Sequence, residues 1–329
     1  MLILSRDLAQ ALDDLLTRSF AEEGEDITSL SVFGPKARVV ARMVCREPAV
    51  VSGTLFLPRL FAFLQPSASV RLLVEDGARV KARTCLAEVE GPAITVLFAE
   101  RTALNLVQRL SGIATATRSY VDALKGTMTV LLDTRKTTPG LRLFERYAVR
   151  CGGGTNHRFG LSHAFLVKDN HADGAGSVFD ATRRALDFRD LNKSLRKHLL
   201  EVEARTIDEV HQALDAGAER VLLDNMSVTE MRRAVEDVHL FCEATGRSVS
   251  VEASGGMTRE KAREAAEAGV DFVSVGAITH SAPAIDIALD VEPTRGAPRA
   301  RIGALHAVAV RAKRRVPEAA KTPARKSRL

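Results

Sequence analysis

Between Asp133 and His171 the chain reads DTRKTTPG, CGGGTNHR and KDNH, gathering Arg135, Lys136, His157, Arg158 and Lys168 around the run Gly152, Gly153 and Gly154. Lys and Arg are seldom buried without partners, and a guanidinium repels a neighbouring ammonium, so such a cluster calls for an anion. Carboxylates and phosphates meet that demand through charge-assisted hydrogen bonds. The three glycines are read as backbone that approaches the anion closely and turns its N–H groups toward it. Surface salt bridges on a charged loop are the plainer reading. Lys168 closing the apolar run AFLV, and Arg158 following three glycines, favour a pocket.

Acids lie close by. Glu201 and Glu203 are two apart in LLEVE and share a face if the run is a strand, while Asp224 closes RVLLD. They either compensate the cations or serve a reacting sugar. A ribose cleaved at its anomeric carbon becomes oxocarbenium-like, and carboxylates beside it stabilise that charge, which makes Glu203 and Asp224 the candidates. Two loops, EASGGM at Glu252–Met257 and VGAITHS at Val275–Ser281, supply glycines and small hydroxyls of the kind that cradle a phosphate. A phosphorylated ribose joined to an acid satisfies all three features.

These residues need a frame that brings them together. TVLLD, AFLVK, LLEVE, RVLLD, VSVE and FVSVG end at Asp133, Lys168, Glu203, Asp224, Glu252 and Gly276 and are separated by helical stretches. That is the rhythm of an α/β barrel, whose chemistry collects at the carboxyl ends of its strands. No Gly-x-Gly-x-x-Gly follows the first strand, which disfavours a doubly wound dinucleotide fold. Upstream, an amphipathic helix is expected over Leu2–Phe20, extended segments over Lys36–Cys45 and Val70–Glu90 with a hairpin at Asp76-Gly77, and a helix over Glu100–Leu124 with Arg101 in its first turn. The expected domains are 1–112, 113–293 with a C-terminal end free to pack back on the first, and a basic tail, 294–329.

The chain has 329 residues, 46% apolar and 27% charged, in keeping with a soluble globular protein. No segment approaches a membrane span, and the N-terminal apolar run is too short for a signal-peptide core. Cys45, Cys85, Cys151 and Cys242 are scattered, without zinc-ligand spacing or a disulfide framework, which favours a reducing, cytoplasmic setting. The net charge of +6 is local: eleven of the 47 basic residues and one of the 41 acids fall in 294–329, so the body has 36 against 40 and is net −4. A membrane partner is not expected, and nucleic acid only weakly, through the tail.

ERTALNLVQRLSGIAT, LLDTRKTTPGLR, YAVRCGGGTNHR, KDNH, EVE, LLDNM, EASGG and SVGAITHS occur in that order, and from about Glu25 to Asp290 the chain resembles the quinolinate phosphoribosyltransferase family. The resemblance implies an N-terminal α/β sandwich domain followed by an open, TIM-like α/β barrel. It implies phosphoribosyl transfer from phosphoribosyl pyrophosphate to quinolinate with decarboxylation, giving nicotinate mononucleotide in NAD biosynthesis. Arg135, Arg158 and Lys168 would grip the two carboxylates, with Thr134, Lys136 and His157 alongside. Lys136, Glu203 and Asp224 would be catalytic, the two acids holding the ribose. Ala253, Ser254, Gly255, Ser274, Val275 and Gly276 would line the phosphate loops. Mg²⁺ would ride on the substrate diphosphate near Glu203 and Asp224, with no resident metal. A homodimer would bring Arg101 across the interface. Relatives acting on nicotinate, and a molybdenum-transport-associated homologue, are the alternatives within the fold; a polyanion-binding protein working through the tail is the alternative outside it.

Overall fold

The structure is a computed structural model that describes residues 4–293, so the basic tail from Thr294 lies outside the described residues. The chain forms two compact units. One takes the residues through Ser111 and again from Ala284; the other is Gly112–Pro283.

The first unit contains β1 (Arg38–Cys45), β2 (Ala49–Val50), β3 (Ser69–Leu72), β4 (Arg79–Val80), β5 (Thr84–Pro92) and a late strand, Ile287–Pro293. Late strand, β1, β5 and β3 lie in that order in one antiparallel sheet. The alternation in RVVARMVC creates its two faces: Val39, Ala41, Met43 and Cys45 are buried, while Arg42 pairs on the wet face with Glu88 at 3.2 Å and Glu292 at 2.7 Å. The chain from Ala284 thus packs back on the first unit and covers an edge of β1 that would otherwise be unpaired.

Two expectations need correction here. Asp76-Gly77 is not a tight hairpin turn, because β3 and β5 pair from Ser69↔Glu90 to Leu72↔Ala87 across a longer loop. Asp76 instead accepts from Gly53 N (2.8 Å), Thr54 N (3.0 Å) and Thr54 Oγ1 (2.5 Å), capping the short 3₁₀ turn Thr54–Phe56. The long helix begins at Ala93, not Glu100, and runs to Ala123. Pro92 ends β5, and buried Ala93, Val96 and Ala99 give the added turns a core face, so Arg101 sits more than two turns in and is exposed.

The second unit contains β6 (Val130–Leu132), β7 (Phe165–Val167), β8 (Leu200–Ala204), β9 (Arg220–Asp224), β10 (Ser250–Ser254) and β11 (Phe272–Ser274). Their spatial order is β6-β11-β10-β9-β8-β7, and every pair is parallel. Consecutive strands β6 and β7 therefore stand at opposite edges of the sheet, the mark of an open barrel. The segment at Thr155 lies along the β6 edge, with Thr155 N donating to Leu131 O at 2.9 Å and Asp133 N to Thr155 O at 3.1 Å.

Register assigns the faces. Glu201↔Arg220↔Ser250 and Glu203↔Leu222↔Glu252↔Phe272 put these side chains inside the barrel, while Val202, Val221, Leu223, Val251 and Ala253 are buried on the helix-covered face. Glu252 is thereby corrected from a strand end to the third residue of five, fully buried.

Candidate active site

The site is assembled around Asp133, which follows β6 and is fully buried. Its carboxylate accepts from His157 N (2.7 Å) and Asn156 Nδ2 (2.7 Å) and meets Arg146 at 3.4 Å. Arg146, on the helix Arg142–Cys151, also donates to the carbonyls of His157 (2.7 Å) and Arg158 (3.2 Å). Burial raises the Asp133 pKa against the pull of Arg146 and the His157 amide. Sequence reasoning missed Arg146. The only trace of it was a basic residue on the helix feeding the glycine run. Glu145, its neighbour, is buried and holds the TTPG loop by accepting from Thr138 N at 3.1 Å and Thr138 Oγ1 at 2.7 Å.

This scaffold brings Arg135 and Arg158 together. Burial pushes the Arg158 pKa down, and the nearby Arg135 charge adds to the effect. Arg158 Nη1 donates to Ala164 O at 3.0 Å, while Arg135 Nε is buried without a hydrogen-bond partner among the described residues. Lys168 stands half-exposed just beyond β7, its Nζ 2.7 Å from Glu203 Oε2. Asp224, at the end of β9, accepts from Asn225 Nδ2 at 3.0 Å.

The glycine run has a different role from the one expected. The N–H groups of Gly152, Gly153 and Gly154 are already given to Ala148 O (2.9 Å), Arg150 O (2.9 Å) and Val149 O (3.0 Å), so they are not available to an anion. A Cβ on Gly152 would lie 2.5 Å from Thr117 Cβ and 2.6 Å from Ala114 O. The glycines let helix Ala93–Ala123 press against the turn that launches the His157–Arg158 segment.

His157 faces inward, with its side chain 9% exposed. Its Nε2 is 3.1 Å from Glu201 Oε2 and 3.5 Å from Glu252 Oε2. Burial opposes charge on the ring, but the two glutamates outweigh it and raise the pKa to about 9. Burial also raises Glu201, with Glu252 reinforcing it; Glu252 is held low, against burial, by His157, Ser274 and Arg220. Nδ1 accepts the Arg158 N–H at 2.7 Å. A second ring proton there would cost that bond, so the proton this cluster retains is shared between the Nε2 side of the ring and Glu201. A cavity of about 290 Å³ adjoins it, lined in part by Asn156, His157, Arg158, His163, Arg220 and Phe272.

The two small-residue loops lie beside the same groups. A Cβ on Gly276 would fall 2.8 Å from Lys136 Cδ, so the Lys136 stem rests directly on the loop after β11, and Thr279 Oγ1 donates to Lys136 O at 2.8 Å. Thr134 Oγ1 accepts from Lys136 N at 3.1 Å. Gly255, at φ +92°, would clash with Asn225 at 2.4 Å if it carried a Cβ. Among the residues expected to line these loops, Ser254, Gly255 and Gly276 are half-exposed, whereas Ala253, Ser274 and Val275 are buried, the Val275 N–H donating to Leu132 O at 3.0 Å and the Ser274 side chain bonding Glu252.

The family models for the N-terminal and C-terminal domains of quinolinate phosphoribosyl transferase match residues 26–111 and 113–290. The chain belongs to the quinolinate phosphoribosyltransferase family. It is 40% identical over 288 residues to the nicotinate-nucleotide pyrophosphorylase [carboxylating] of Mycobacterium leprae, covering 85% of this chain and 97% of that one. It is 37% identical over 284 residues to a Bacillus subtilis protein described as a probable nicotinate-nucleotide pyrophosphorylase [carboxylating], covering 85% and 93%. Among solved structures, the nicotinate-nucleotide pyrophosphorylase of Francisella tularensis superposes with a TM-score of 0.78 at 37% identity, covering 86% of this chain and 97% of the other. NadC from Streptococcus pyogenes gives 0.80 at 33%, covering 89% and 100%.

Proposed function

We propose that this chain transfers the phosphoribosyl group of phosphoribosyl pyrophosphate to quinolinate and removes the adjacent carboxylate, yielding nicotinate mononucleotide, pyrophosphate and carbon dioxide for NAD synthesis. The observation that carries the reading is the Arg135–Arg158 pair, two partly buried guanidiniums near enough for one to depress the other's pKa, with Arg135 Nε unbonded among the described residues. A dicarboxylate would supply the missing negative charge on both. Lys168 would join them once released from Glu203.

The pyridine nitrogen attacks the anomeric carbon as its bond to the diphosphate oxygen breaks, and that electron pair leaves with pyrophosphate. Glu203 and Asp224, on neighbouring strands, favour the sugar cation formed on the way. The carbon–carbon bond to the adjacent carboxylate then breaks. Carbon dioxide departs, the electrons rest beside the pyridinium nitrogen, and a proton takes the vacated position. Lys136 and the loops at Ser254–Gly255 and Gly276 face the phosphate end of the substrate in this reading.

Mg²⁺ enters bound to the diphosphate, as part of the substrate. The chain's own His157–Glu201–Glu252 cluster has metal-ligand spacing; Arg220 stands 3.3 Å from Glu252 Oε2, while Glu201 Oε2 and Glu252 Oε1 are buried without a hydrogen-bond partner among the described residues. Exposed Arg101 is assigned to the neighbouring site of a homodimer. No helix among the described residues is long and apolar enough to cross a membrane.

The test is release of carbon dioxide from quinolinate by the purified protein, expected only with phosphoribosyl pyrophosphate and Mg²⁺ present. Turnover of nicotinate in place of quinolinate would overturn the substrate assignment.

A further inference from the structure

The transfer uses Arg135 and Arg158 at the surface of a deeper network whose acids take no part in the chemistry. Glu201 on β8 and Glu252 on β10 are both fully buried, and burying two carboxylates is costly unless they are paired. Both reach His157 Nε2, at 3.1 Å and 3.5 Å. Glu252 is further tied to Arg220 at 3.3 Å, and Arg220 is itself fixed, 3.9 Å over the Phe272 ring and 3.1 Å from Ser250 Oγ. On its other side the imidazole accepts the Arg158 amide at 2.7 Å. The ring is thus held on both nitrogens, one set by the barrel floor and the other by the residue that grips the substrate.

We propose that Glu201 and Glu252 are positioning residues: they clamp His157, and the clamped ring fixes the Arg158 backbone so that its guanidinium stands beside Arg135 for the substrate carboxylates. The proposal rests on the dicarboxylate reading of Arg135 and Arg158. The same three groups, with ligand atoms within 4.8 Å, have the spacing of a metal site. Charge favours a proton over a metal. Arg220 offsets one carboxylate and the shared proton the other, whereas a divalent ion would leave an uncompensated positive charge in a buried place, facing a guanidinium.

The role predicts a split that loss of structure alone would not give. Glu201→Ala and Glu252→Gln should raise the quinolinate KM by about tenfold or more, by analogy with the loss seen when a residue that orients a metal ligand is removed. The phosphoribosyl pyrophosphate KM and kcat should stay within about twofold. Glu201→Gln should restore near wild-type behaviour, because a glutamine oxygen in the place of Glu201 Oε1 still accepts from Nε2. Equal weakening of both substrates, no weakening of either, or a Glu201→Gln variant as impaired as the alanine overturns the proposal. So does a stoichiometric divalent ion in purified wild-type protein. If alanine at 201 prevents folding, the near-isosteric Glu252→Gln carries the same KM comparison. A wild-type protein that fails to turn over quinolinate would strike instead at the reading of the site.

Discussion

Lys168 Nζ lies 2.7 Å from Glu203 Oε2, so a cation assigned to the diacid and an acid assigned to the ribose neutralise each other in the free chain. If each group goes to its assigned substrate, the pair acts as a latch that binding parts. Lys168 is 46% exposed, which limits its strength to roughly 0.2–1 kcal/mol. Glu203→Gln would release Lys168 toward quinolinate. Calorimetry is expected to show quinolinate binding tightened by up to about fivefold, while kcat falls by about tenfold or more as sugar-cation stabilisation is lost. Weaker quinolinate binding by this variant would show that the latch does not compete with the substrate.

Arg158→Ala tests the other end of the diacid. The guanidinium is partly buried, and its pKa is depressed by burial and by Arg135, so its natural partner is an anion. Truncation is expected to weaken quinolinate binding by about 2–5 kcal/mol, the penalty for removing one member of a buried charge pair. A loss under about 0.5 kcal/mol, typical of an exposed pair, would place Arg158 outside the pocket.

The His157 cluster gives stability a direction with pH. His157 is raised from 6.5 to about 9, so its contribution is complete below about pH 6.5 and lost as pH rises through about 9. Glu201, also raised by burial and by Glu252, shifts in the same sense and shares the one proton with the ring. Glu252, held low, contributes above its unfolded value and does not reverse the trend on the alkaline side. The unfolding free energy from denaturant titrations should fall between pH 6.5 and 9.5, by an amount on the order of 3 kcal/mol at most. His157→Gln should flatten that fall. Stability rising across the same window would refute the assignment.

The sequence made the barrel legible because parallel strands covered on both faces appear as short apolar runs, and RVLLD or FVSVG looks the same in any such fold. The cations were legible by type and spacing alone. The depth of Glu252 was not, since it depends on the register Glu252↔Phe272 between strands twenty residues apart. Nor was the Asp76 cap legible, for its partners Gly53 and Thr54 lie more than twenty positions upstream. The glycine run misled for the same reason: the contact that demands glycine comes from Thr117 on a preceding helix, and nothing in CGGGTNHR points to it.

That contact can be tested through stability alone. Gly152→Ala would put a methyl 2.5 Å from Thr117 Cβ and 2.6 Å from a backbone oxygen, neither of which can easily move aside. A destabilisation of about 1–3 kcal/mol is expected from overpacking. Gly174→Ala is the control. It meets open space within the helix Asp169–Ala175 and should be neutral or stabilising by up to about 1 kcal/mol. Equal Tm values for the two variants would remove the packing explanation for the run.

Arg101 carries the proposal of a shared site. It is exposed on the helix Ala93–Ala123, in the first unit, while Lys168 belongs to the second. If each site takes Arg101 from a neighbour, Arg101→Ala and Lys168→Ala homodimers are both impaired. A mixed dimer then places both defects in one site and leaves the other whole. Equal mixing with subunit exchange gives half mixed dimers, so activity should recover to about a quarter of wild type by the symmetry of a two-fold assembly. If Arg101 served its own subunit's site, every site would carry one defect and mixing would recover nothing.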